Sequence, residues 1–139
     1  LRDFAIRREN FYHVFSMRFS GKVVKGMGLG KGLGFPTCNI DVRPELAHGV
    51  YAVQVMMYGS DVAHPALMHY GPKPTVGRED IFCEVYFLKF PEGLEVEELN
   101  IEVLGKLRDV MTFDGLEALV EQMKKDEQEA RERYFGGEL

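Results

Sequence analysis

The sequence has no tryptophan and only two cysteines, Cys38 and Cys83, in 139 residues. Two distant thiols form neither a disulfide framework nor a zinc signature. A reduced, cytoplasmic setting is therefore expected, with both cysteines serving as small buried hydrophobes. No apolar run approaches the roughly 20 residues that cross a membrane. The first ten residues, Leu1 to Asn10, are charged and do not resemble a secretory signal. Positive charge is also scarce, since 17 Lys and Arg against 22 Asp and Glu leave a formal net charge of −5. Binding along a phosphate backbone calls for a basic face, so nucleic acid is not an expected partner. A single nucleotide stays open, because a local donor-rich loop can hold phosphates on an acidic protein. His48, His64 and His69 have no metal-ligand spacing, and His13 lies far off. They read as ordinary polar residues.

What is present suits one globular domain, 45% hydrophobic and 28% charged. Stretches rich in β-branched and aromatic residues predict strands over Met17–Val24, Val50–Tyr58, Ala63–Tyr70, Ile81–Phe90 and Leu99–Lys106. Gly71-Pro72-Lys73-Pro74-Thr75 is expected to break the third of these. Leu116, Leu119, Val120, Met123, Ala130 and Tyr134 recur at helical spacing and predict one helix over Leu116–Tyr134. Asp114 stands at its N-cap with Glu117 three residues on, and Gly136-Gly137 follow its end. Short strands and one terminal helix suggest a sandwich or barrel. The first twenty residues read as an N-terminal arm or linker, leaving 21–139 as the domain, with a monomer as the default.

Three features can carry chemistry. Gly26, Gly28, Gly30, Gly32 and Gly34 recur at every second position, with Lys31 among them. Such a loop lets backbone N–H groups approach a polyphosphate, or it is simply a hairpin connection. It matches neither a Walker A loop nor a Rossmann fingerprint. Next, Thr37 and Asn39 follow Phe35-Pro36, which proline biases to extended geometry. Two apart on an extended segment, they share a face, so their oxygens suit a hard cation such as Mg2+ or a local turn. Last, Glu84 lies among Phe82, Tyr86 and Leu88 on its own face of a strand. Desolvation there would raise its pKa and make it a better general base; the alternative is a half-exposed strand whose carboxylate reaches water.

Together these pieces resemble the riboflavin kinase family over Gly21 to about Tyr134. The carrying stretches are Gly21-Lys22-Val23-Val24-Lys25-Gly26, Gly28, Gly30, and Leu33-Gly34-Phe35-Pro36-Thr37-Cys38-Asn39, which looks like a glycine-rich loop leading into a Pro-Thr-x-Asn motif. Gly49-Val50-Tyr51, His69 to Thr75, Glu84, Leu107-Arg108 and Phe113 to Leu119 follow in the family's order. The resemblance implies a mainly β fold: a closed six-stranded antiparallel Greek-key barrel with the helix packed outside. It implies transfer of the ATP γ-phosphate to the riboflavin 5′-hydroxyl, giving FMN and ADP, with Glu84 as the catalytic base. It further implies that Gly26, Lys31, Thr37, Asn39 and Tyr86 lie at the nucleotide. Thr37 and Asn39 would contact Mg2+, and riboflavin would lie near Arg108, Met111 and Phe113. The sequence departs from the family at Tyr86, where a His is usual, at Met111, where Lys is frequent, and in the turn Phe90 to Glu98. Two alternatives remain: a non-catalytic flavin- or nucleotide-binding module of the same fold, or the kinase half of a bifunctional FAD synthetase.

Overall fold

The computed structural model describes residues 17–24, 37–89 and 96–137. Gly26, Lys31, the rest of the glycine-rich stretch, Leu1 to Ser16, and Phe90 to Glu95 of the altered turn lie outside the described residues. Six strands are present: β1 (Arg18–Val24), β2 (Thr37–Asp41), β3 (Gly49–Met57), β4 (His64–Lys73), β5 (Arg78–Phe87) and β6 (Glu98–Arg108). A 3-10 turn, Pro74–Val76, joins β4 to β5, and helix α1 spans Leu116–Tyr134. The strands close into a barrel in the order β1-β2-β5-β4-β3-β6, every pair antiparallel. Since β3, β4 and β5 are successive neighbours and β6 returns beside β3, the connectivity is the expected Greek key.

Period-two alternation fills the inside. Ile40, Tyr51, Val53, Val55, Ala66, Met68, Tyr70, Cys83, Val85, Phe87, Leu99, Ile101 and Val103 form one buried core. Each large member contributes roughly 1.5–3 kcal/mol by leaving water, an upper estimate. Cys38 and Cys83 are both free; Cys83 is buried and Cys38 half-buried. Burial pushes the Cys83 thiol up to about 12. It also raises that of Cys38, with the charge of Glu84 adding to the effect.

The outer wall is partly covered by α1, which packs on β4 and β6. A second apolar cluster there joins Ala52, Leu67 and Ala130 with Tyr86, Leu104, Leu107 and Tyr134. Two register shifts in the β3–β6 pairing help to build it. Ala52 pairs with Gly105 but Val53 with Val103, and Val50 pairs with Arg108 but Tyr51 with Lys106. Each shift leaves one extra residue on β6 and alters which face its neighbours occupy. Gly105 is bare for a reason, since a Cβ there would overlap the Tyr134 hydroxyl.

Several boundaries differ from the sequence expectation. β4 does not end at Tyr70; it continues through Gly71 and Pro72 to Lys73, with Gly71 at φ 136° and a register irregularity before Lys73. A Cβ on Gly71 would sit 3.0 Å from His48 and 3.1 Å from Val110, so glycine permits this close passage. β5 starts three residues earlier than expected, because the 3-10 turn with Gly77 in the left-handed region closes the hairpin. The segment after Pro36 is a true strand, β2. The helix has its expected limits but not its expected cap. Gly115, at φ 155°, is the N-cap residue, and no side chain caps the helix. That glycine conformation moves the entry one residue past Asp114. At the other end Gly136 and Gly137 have positive φ, and the Gly137 N–H donates to the Arg131 carbonyl at 2.6 Å. Arg18, Phe19 and Ser20 belong to β1 and pair with β6.

Candidate active site

The alternation that sends Cys83, Val85 and Phe87 inward sends Glu84 and Tyr86 outward on β5. The neighbouring strands place partners beside them. Across the β2–β5 ladder, Asn39 faces Glu84 and Thr37 faces Tyr86. Across β4–β5, His69 faces Glu84 and Leu67 faces Tyr86. Val50 faces His69, and Arg108 faces Val50. One belt of the outer wall thus carries Asn39, Glu84, His69, Val50 and Arg108 in register.

Glu84 is 0% exposed, so the buried alternative is the one the fold adopts. Its surroundings are not merely apolar, however. The Lys73 ammonium forms an ion pair with Glu84 Oε1, and the Tyr86 hydroxyl donates to the same oxygen. Lys73 is itself only 9% exposed and lies 4.8 Å from the centre of the Phe82 ring. Burial, reinforced by the charge of Glu84, pushes the Tyr86 hydroxyl well above its ordinary range. Tyr86 therefore stays a donor.

Two buried oxygens, Glu84 Oε2 and Asn39 Oδ1, have no hydrogen-bond partner among the described residues. A buried acceptor without a donor costs about 1–3 kcal/mol, so these directly opposed residues each leave an acceptor open to a donor or a cation. A hydroxyl donor suits the carboxylate oxygen, and a hard cation suits the amide oxygen. No cluster of three His, Cys, Asp or Glu able to cage a metal occurs among the described residues.

Beside this belt lies a cavity of about 30 Å³ between the wall and α1, lined by Val50, Leu67, His69, Tyr86, Arg108, Leu119, Met123 and Asp126. Arg108 does not point free into it. Its Nε donates to Asp126 Oδ1 and Oδ2 at 2.9 and 3.0 Å, and Nη2 lies 2.8 Å from Oδ2. Gln122 adds a third donor to Asp126 at 3.0 Å. The guanidinium also sits 5.7 Å over the Phe113 ring, and the Phe113 N–H donates to Thr75 Oγ1 at 3.1 Å. That bond fixes the segment before α1 to the turn after β4. Met111 is 45% exposed.

The fold thus brings Glu84, Thr37, Asn39 and Tyr86 together on one wall. It sets Arg108 and Phe113 beside them and leaves Met111 on the surface. Three residues escaped the sequence reading. Lys73 is a cation between two prolines in the stretch read as a breaker. Asp126 occupies a position of the helical stripe, three after Met123 and four before Ala130, where an apolar residue is normal; that mismatch was its signal. His69, read as ordinary, donates from Nε2 to the Pro72 carbonyl at 2.8 Å and contacts Gly71 O at 3.2 Å. Burial holds its pKa below the usual value, so the neutral tautomer with the proton on Nε2 fits both carbonyls.

A small Greek-key barrel with an outer helix and a buried carboxylate on the outer wall of β5 defines the class. Residues 14–134 match the family model described as riboflavin kinase, and the chain belongs to that family. The RNA-binding riboflavin kinase RibR of Bacillus subtilis (strain 168) is 38% identical over 109 residues, covering 77% of this chain and 46% of the relative. The bifunctional riboflavin kinase/FMN adenylyltransferase of Escherichia coli (strain K12) is 35% identical over 126 residues, covering 89% and 39%. The chain therefore spans less than half the length of these two relatives. Among solved structures, a protein described as a macrolide-efflux protein from Streptococcus pneumoniae superimposes with TM-score 0.69 and 29% identity, over 84% of this chain and 38% of that one. Riboflavin kinase from Trypanosoma brucei does so with TM-score 0.54 and 27% identity, over 83% and 77%.

Proposed function

We propose that this chain transfers the γ-phosphate of ATP to the 5′-hydroxyl of riboflavin, giving FMN and ADP, with the barrel from β1 onward and its helix as the kinase domain. The observation that carries the reading is the buried Glu84, whose Oε2 stands unpartnered opposite Asn39 in a member of this family. In the reaction the riboflavin O–H bond breaks, its oxygen bonds the γ-phosphorus, and the bond from that phosphorus to the ADP oxygen breaks. Glu84 Oε2 takes the proton, a role typically worth 10²–10⁴-fold. Thr37 and Asn39 would hold Mg2+, which when bound supplies positive charge against the phosphates. Such transfers depend on positioning and charge neutralisation more than on covalent help. Gly26 and Lys31 are assigned to the nucleotide from their motif alone, and Tyr86 acts here through Glu84.

The flavin is assigned to the seam between wall and helix, near Arg108 and Phe113, with Met111 at its edge. The RNA in the name of RibR is said of that protein; the net charge of −5 lends no support to such a partner here. ATP as substrate suits a cytoplasmic site of action. The name and length of the Escherichia coli relative favour a second reading, in which the chain is the kinase part of a longer protein that also adenylylates FMN. Incubating the protein with riboflavin and Mg-ATP, followed by chromatography, tests the proposal. FMN and ADP should appear in equal amounts. ADP without FMN, or riboflavin binding without turnover, would reject it in favour of a hydrolase or a non-catalytic module.

A further inference from the structure

A carboxylate offers two oxygens and about four lone-pair directions. In Glu84 the use of these is lopsided. The Lys73 ammonium and the Tyr86 hydroxyl both converge on Oε1, while Oε2 is buried without a partner. An ion pair between groups 9% and 0% exposed is a poor device for stability. Desolvation costs several kcal/mol per ion, and apolar replacements of such pairs are often neutral or stabilising. Lys73 pairs with Arg78 at the end of β4, but only after the register irregularity that follows Gly71. The ion pair holds one oxygen and leaves the other.

We propose that Lys73 is a positioning residue for phosphoryl transfer: together with Tyr86 it anchors Glu84 Oε1, and so presents Oε2 as the oxygen that receives the substrate proton. This rests on the riboflavin kinase reading. Lys73 acts through Glu84 and need not touch either substrate. Its absence would let the carboxylate turn about its side-chain torsions, and displacing a catalytic group by about 1 Å can cost on the order of 100-fold.

The test is a cycle of Lys73→Met, Glu84→Gln and the double variant, with Lys73→Arg as rescue. Single-turnover rates of FMN formation are measured beside riboflavin affinity from quenching of flavin fluorescence. Lys73→Met should slow the transfer about 100-fold while riboflavin Kd stays within about threefold, because ground-state binding is untouched. Lys73→Arg, which keeps charge and donors, should recover about tenfold of that loss. The double variant should match Glu84→Gln within about twofold, because a residue acting only through Glu84 has nothing left to position. Should Lys73→Met fail to fold with its uncompensated carboxylate, the double variant, which lacks both charges of this pair, is compared with Glu84→Gln alone. Transfer by Lys73→Met within about threefold of the original rate would overturn the proposal. So would a double variant about tenfold slower than Glu84→Gln, which would mean that Lys73 acts on another group, such as the phosphate. A parent protein that makes no FMN removes the kinase reading, and the proposal falls with it. Undiminished Lys73→Met in an active parent removes the proposal alone.

Discussion

Two neighbouring residues on opposite faces of β5 are buried to the same degree and do opposite things. Val85 and Glu84 are both 0% exposed. Val85, with Cys83 and Phe87, closes an apolar interior, whereas Glu84 and Tyr86 meet a lysine, a histidine and an orphan amide on the outer wall. Burial alone therefore does not mark a site. What distinguishes the outer face is that its polar groups are incompletely satisfied, whereas the inner face needs no partners at all.

Substitution on each face should separate the two roles. Glu84→Gln keeps size and most hydrogen bonding but cannot take a proton, so FMN formation should fall by about 10²–10⁴-fold. Mg-ADP affinity by calorimetry should stay within a few-fold. Val85→Ala, one residue away, should do the reverse: denaturant melts should show about 1–3 kcal/mol lost, with turnover per folded molecule little changed. Equal catalytic losses in both would erase the comparison.

Asp126→Asn probes the seam between wall and helix. Breaking a fully buried ion pair costs about 3–5 kcal/mol. With Arg108 15% exposed and Asn still able to accept a bond, about 2 kcal/mol is expected. Riboflavin Kd should rise about tenfold as Arg108 loses its orientation.

The smallest effect is expected at His69. Burial lowers its pKa in the folded state, so the unfolded chain binds the proton more readily. Stability then rises with pH through this group, and its contribution is lost as pH falls below the ordinary value of about 6.5. Melts of His69→Asn between about pH 6.5 and 5 should lose stability less steeply than those of the parent. Identical slopes would place His69 in contact with water.

The strands were legible in the sequence because β-branched and aromatic runs are a local signal, as in Val50 to Tyr58 and Ile81 to Phe87, but which face of β5 turns inward was not, since Phe82, Tyr86 and Leu88 make one face as apolar as Ile81, Cys83, Val85 and Phe87 make the other. The outer site was legible only where a motif lay, at Thr37, Asn39 and Glu84. Lys73 was not, because its ion pair depends on a glycine kink and a register irregularity that turn an apparent breaker into strand. Asp126 was visible as a flaw in the helical stripe, but its partner Arg108 sits eighteen residues away on β6. The cap at Asp114 failed for a similar reason, since the conformation of the next glycine decides where the helix begins.

The central claim is that substrate meets the outer wall under the helix. Methyl NMR of the protein titrated with riboflavin and Mg-ADP tests it directly. The account predicts large shifts at Val50, Leu67, Leu119 and Met123, which line the seam. Shifts confined to Met57 and Val96, in the separate cavity they line with Lys22, Tyr58, Glu97 and Glu98, with the seam methyls silent, would contradict it.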